Sequence, residues 1–90
     1  MSKNGNNNGE RLKKKLGVRL RELRKLKKLS QAELSYECNL DRTYIASIEQ
    51  GKRNVSLINL RKLSNAFGMS ISKFLEPLNG NNHNDNLKYL

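Results

Sequence analysis

Leucines at positions 12, 16, 20 and 23 recur at spacings of four, four and three, which lays one apolar stripe along a helix. The pattern predicts a first helix over residues 10–27. Ser30 followed three positions later by Glu33 is a capping-box pairing and starts a second helix. Asp41 suits the start of a third, because its carboxylate can accept hydrogen bonds from the free amides of the first turn. Ser56 starts a fourth, carried by Leu60, Leu63 and Phe67 and stopped by Gly68. Ser70 starts a short fifth helix that ends before Pro77. Alternating strand patterns and hairpin turn pairs are missing, so the expected fold class is all-α.

Both ends read differently. Residues 4–9, "NGNNNG", and 79–86, "NGNNHNDN", offer nothing to bury. The expectation is a folded unit over residues 10–78, a disordered tail over 1–9 and a flexible tail over 79–90. The last four residues, "LKYL", carry three apolar side chains that could dock on a partner.

The second and third helices repay spacing arithmetic. Counting from Gln31, apolar side chains fall at the fourth, eighth, tenth, fifteenth and eighteenth positions: Leu34, Cys38, Leu40, Ile45 and Ile48. A two-helix corner needs a small side chain where the helices touch, which Ser35 supplies. It also needs one left-handed residue to end the first helix, a conformation Asn39 tolerates. Apolar residues on both inner faces then lock the crossing, the helix-turn-helix arrangement. Cys38 falls on an apolar position, which suits a small core side chain.

Charge changes the picture from fold to partner. The 90 residues suit one domain, and 18 Lys plus Arg stand against 8 Asp plus Glu for a formal charge of +10. That surplus favours polyanions, nucleic acid first and anionic membrane second. Residues 1–30 hold 11 basic and 2 acidic side chains, whereas residues 31–90 hold 7 and 6. A cationic amphipathic first helix could bind membrane, but its stripe is more simply a packing face. A single cysteine cannot form an internal disulfide, no apolar run reaches the ~18 residues of a membrane span, and the N-terminus lacks the apolar core of a secretion signal. The expected location is the cytoplasm.

The quoted features "LSQAEL", "YIASIEQGKRN" and the five-helix spacing resemble the phage Cro and repressor family of helix-turn-helix domains over residues 12–76. Many members of that family have Ala where this chain has Ser35 and Gly where it has Asn39. Within the family, "NLDRTYIASIE" followed by "RN" is most similar to the controller proteins of bacterial restriction–modification operons. The resemblance implies a five-helix domain that binds operator DNA as a dimer, with helix 3 in the major groove. It also implies a structural salt bridge from Arg24 to Glu49 that orients helix 3. Phage-type repressors and antitoxin-like regulators share the scaffold and remain alternatives.

The residues support that reading on their own terms. Ile45 and Ile48 define the inward stripe of helix 3, which leaves Arg42, Thr43 and Ser47 on the other side. Arg42 has the fork that matches guanine O6 and N7, and Thr43 can bond a base or touch a thymine methyl. Tyr44 can lie on the sugar-phosphate backbone, donate to a phosphate, or pack inward. Gln31, in the first turn of helix 2, and Gln50, Lys52, Arg53 and Asn54, after helix 3, are candidate phosphate contacts, and the controller resemblance implies that Arg53 can also reach bases. Met69, Ile71, Phe74 and Leu75, with Leu78 beside them, are the candidate dimer interface.

An enzyme finds no support. The sole histidine, His83, lies in the Asn-rich tail, and neither paired Cys/His metal ligands nor a Gly-rich phosphate loop is present. No cofactor, metal or small-molecule effector is expected. RNA suits the reading helix poorly, because A-form grooves are inaccessible to it and stacking aromatics are few. A protein-interaction module gripping its partner through "NDNLKYL" is the competitor from another class.

Overall fold

Serine side chains set three of the helix starts. In the computed structural model, which describes residues 2–82, Ser30 Oγ accepts from Glu33 N at 3.0 Å and Glu33 Oε1 accepts from Ser30 N at 2.8 Å. This completes the capping box of helix α2 (Gln31–Cys38). Ser56 Oγ accepts from Asn59 N at 3.1 Å to start α4 (Leu57–Ala66), and Ser70 Oγ accepts from Lys73 N at 3.0 Å to start α5 (Ile71–Leu75). Helix α3 (Arg42–Glu49) begins at Asp41, but there the carboxylate makes no capping bond, contrary to the expectation from sequence. Its backbone sits at φ −68° and ψ 141°, as an N-cap requires, while the side chain is exposed to water.

Asn39 ends α2 in the left-handed region at φ 59°, and Leu40 N donates to Ser35 O at 3.1 Å to close the corner. Gly68, at φ 66°, follows α4. After α5 the chain winds through a 3-10 turn, Glu76–Asn82. His83 and the "LKYL" segment lie outside the described residues.

Helix α1 spans Ser2–Leu26 and so starts earlier than the leucine stripe predicts. Extending an existing helix gains a hydrogen bond for each residue fixed and needs no new nucleus. The added residues carry no apolar side chain that could have signalled it.

The core is one cluster: Leu16, Leu20 and Leu23 from α1, Leu34 and Cys38 from α2, Ile45 and Ile48 from α3, Leu63 from α4, Phe74 from α5, and Leu78. Each fully buried aliphatic side chain contributes roughly 1.5–3 kcal/mol. Leu12 belongs to the same stripe by spacing but is 53% exposed, because it faces an open groove lined by Leu60, Leu75 and Leu78 instead of a closed core. Phe74, expected at the dimer interface, is 0% exposed and stacks on Phe67 at a centroid distance of 6.3 Å. It closes the chain's own core, so it cannot itself touch a second copy. Met69, Ile71 and Leu75 remain half-buried around it.

Arg19 fastens α5 to α1. Its Nε donates to Phe74 O at 2.7 Å and its Nη2 to Lys73 O at 3.0 Å, satisfying carbonyls that a helix end leaves without partners. Gly17 makes the α1–α3 crossing possible. A Cβ there would stand 2.5 Å from Ile48 O and 2.7 Å from Glu49 O, both backbone atoms.

Candidate nucleic-acid interface

Helix α3 is fixed by its inner face and presents its outer one. Ile45 and Ile48 are 0% and 1% exposed, while Arg42, Thr43 and Gln50 stand in solvent. A side chain that carries fixed charge and polar donors on a rigid helix can be aimed at a ligand without the helix itself shifting.

The rigidity comes from Glu49, a carboxylate buried at the end of α3. Arg24 Nε reaches its Oε2 at 2.6 Å and Arg24 Nη2 its Oε1 at 3.0 Å, a two-pronged pair. Gln31 Nε2 donates to Oε1 at 3.1 Å, and Arg21 Nε lies 3.5 Å away. Arg24 Nη1 also donates to Leu29 O at 2.8 Å, which ties in the α1–α2 turn. Three helices and a turn therefore meet at one anion. Burial by itself pushes the Glu49 carboxyl up, but the hydrogen bonds from Arg24 and Gln31, the Arg24 charge and the Arg21 contact together hold it below the ordinary carboxylate range. The bond to Glu49 in turn holds Arg24 above its ordinary value, against burial.

Gln31, expected as a phosphate contact, donates one of its two amide N–H groups to Glu49, which leaves the other N–H and the amide oxygen outside that bond. Helix α2 also offers at that point the backbone of its first turn, where N–H groups lack intrahelical partners.

The opposite flank of α3 holds a second polar group. Ser47 Oγ donates to Tyr44 O at 2.8 Å and accepts from Arg53 Nε at 2.9 Å. The Arg53 guanidinium lies over the Tyr44 ring at 5.3 Å. Tyr44 is half-buried, and its hydroxyl accepts from Asn59 Nδ2 at 3.2 Å, so the inward packing is the one adopted. Ser47 is half-buried on this flank, and its hydroxyl also positions Arg53. Spacing along α3 alone could not reveal this, because the partner comes from the loop beyond the helix. Lys52 and Asn54 are exposed in that loop, which leaves α3 through Gly51 at φ 76°.

Arg42, Thr43, Gln50, Lys52, Arg53 and Asn54 are thus all exposed along α3 and the loop after it, with Tyr44 and Ser47 against Arg53 and Gln31 on Glu49. Gly17 is a contributor that the sequence reading missed. A lone glycine inside a strongly helical leucine pattern was its signal. Among the described residues, no group of three or more His, Cys, Asp or Glu side chains could hold a metal. No helix among them is long and apolar enough to cross a membrane.

Comparison with known proteins agrees with this geometry. The helix-turn-helix family profile matches residues 20–74. Control protein C.MunI from a Mycoplasma species is 46% identical over 68 residues, covering 74% of this chain and 92% of its own. The crystal structure of the restriction–modification controller protein C.AhdI from Aeromonas hydrophila superposes with a TM-score of 0.66 at 45% identity, over 69% of this chain and 94% of that one. The restriction–modification controller protein C.Esp1396I, solved as a tetramer in complex with its natural 35-base-pair operator, gives a TM-score of 0.68 at 34% identity, over 74% and 88%. The relatives are regulators and not enzymes. The chain belongs to the helix-turn-helix family, as a transcriptional regulator of the restriction–modification control type.

Proposed function

We propose that this chain binds operator DNA as a symmetric dimer, α3 of each copy entering the major groove, and so times expression of restriction–modification genes from the cytoplasm. The observation that carries this reading is α3 itself, anchored through Glu49 and two isoleucines while Arg42 and Thr43 stand exposed at its leading end. The operator complex of C.Esp1396I supports the choice of partner.

In this reading Arg42 and Thr43 contact base edges, while Gln50, Lys52, Arg53 and Asn54 hold the flanking backbone. Residues 10–78 form the working unit. The half-buried Met69, Ile71 and Leu75 meet a second copy, and Phe74 supports them from below. Two copies place their reading helices about one DNA turn apart, roughly 34 Å.

Selection from a random duplex library tests the proposal. The expected product is a two-fold symmetric motif, and Arg42→Ala weakens binding to it by about 1–3 kcal/mol while relaxing one base pair per half-site. Enrichment of no motif would remove the operator reading. An equal loss for Arg42→Ala on selected and random duplex would reduce that residue to a phosphate contact.

A further inference from the structure

The first half of α1 is rich in cations that the α3 site does not use. Residues 11–15 read Arg-Leu-Lys-Lys-Lys, and the family match begins only at residue 20. Lys14 lies directly on the loop that leaves α3. A Cβ on Gly51 would meet Lys14 Cγ at 2.9 Å and Lys14 Cα at 3.1 Å, and Gly51 is buried beneath this contact. One more turn toward the N-terminus, Gly9, Leu12 and Lys13 face Arg53, Asn54 and Val55 across a groove of about 360 Å³. The early part of α1 therefore runs alongside the candidate backbone-holding loop.

The charges there are gathered without neutralisation. Arg11 and Lys14, three apart and so neighbours on one helix face, are both exposed, as are Lys52 and Arg53 across the loop. Among the described residues none of these four is ion-paired, and Arg53 is bonded only to a hydroxyl and set over a ring. Of the nearby carboxylates, Glu10 is paired with Lys13 at 3.1 Å, and Glu22 lines an open groove with Arg11 and Lys14 but forms an ion pair with neither. Lys14 against this loop, with Arg11 one turn before it, adds to the positive field of Lys52 and Arg53, which an extended anion running past them would offset.

We propose that Lys14 and Arg11, with Lys52, form a second phosphate-binding strip that grips the DNA backbone at the edge of the groove α3 occupies. The strip rests on the DNA-binding reading above and extends it beyond the helix-turn-helix. It carries no sequence information. Its effect is on affinity and salt dependence, equally for every duplex.

The test uses a fluorescein-labelled mixed-sequence duplex of about 30 base pairs, roughly three helical turns. Binding anisotropy is followed against salt for the full chain, Lys14→Gln and Arg11→Gln/Lys14→Gln. Lys62→Gln and Lys62→Gln/Lys73→Gln are matched controls, with the same charge changes on α4 and α5. Circular dichroism confirms that each variant keeps its helix content. The slope of log K on log salt is expected to fall by about one for Lys14→Gln and about two for the double variant, well beyond the controls. Test variants indistinguishable from their matched controls would overturn the strip while leaving DNA binding intact. Failure of the unaltered chain to bind any duplex would remove the DNA reading and the strip with it.

Discussion

The two halves of α1 belong to the same helix and follow the same leucine spacing, yet they meet different surroundings. From Leu16 to Arg24 every turn has a partner: Gly17 against the end of α3, Leu20 in the centre of the core, Arg19 on α5 and Arg24 on Glu49. Before Leu16 the contacts are looser: Lys15 donates to Leu78 O at 3.3 Å, Lys14 lies on the α3–α4 loop, and Leu12 stays 53% exposed in an open groove shared with Leu60, Leu75 and Leu78. An apolar stripe tells which face of a helix can be buried. Whether it is buried depends on how closely the neighbouring helices approach it.

The sharpest way to break this contrast is at Glu49. Glu49→Ala leaves Arg24 partly buried without its carboxylate and should cost about 3–5 kcal/mol in a urea titration. Its pH dependence carries the same sign as the depressed carboxyl. The stabilisation is full above the ordinary carboxylate range and is lost as pH falls through that range and below it. Glu49→Ala should therefore flatten the acid limb of the stability curve, and a limb unchanged by the substitution would put the acid sensitivity elsewhere.

A paired substitution compares the halves directly. Leu20→Ala should cost about 2–5 kcal/mol, whereas Leu12→Ala should cost well under half of that, since half of its side chain is already in water. Equal losses would mean that Leu12 is covered in solution. Gly17→Ala comes next. Its methyl meets two backbone carbonyls that no rotamer change can move, so α1 must slide off α3 at a cost of about 1–3 kcal/mol. Calorimetry showing an unchanged midpoint would mean the crossing is looser than 2.5 Å implies.

The smallest effect concerns caps. Ser56→Ala should lose about 1 kcal/mol with its bond to Asn59 N, while Asp41→Ala should lose only a few tenths, because no capping bond is there to break. A loss at Asp41 as large as at Ser56 would show that its carboxylate caps α3 after all.

Much of the fold was legible because its signals are local. Ser30, Ser56 and Ser70 announce helix starts through bonds made within three residues, and Asn39 announces a left-handed corner through its own backbone preference. The arrangement around α3 was less so. Tyr44 has a ring that suits the core and a hydroxyl that suits water, and Asn59, fifteen residues away, is what decides between them. Helical spacing gives no hint that Arg53 comes back from the loop onto the Ser47 hydroxyl, nor that Gln31 lends one amide N–H to Glu49. Phe74 had the chemistry of an interface residue, but a small helical core needed its volume. Partners that lie far away along the chain leave no mark at the position they constrain.

Cys38 closes α2 with its thiol enclosed by the core, and burial pushes its ionisation up. Since only the thiolate reacts with alkylating reagents, the folded corner shields it from them. Labelling must wait for α2 and α3 to part, so the modification rate times that opening, and the molecule carries its own clock for the event.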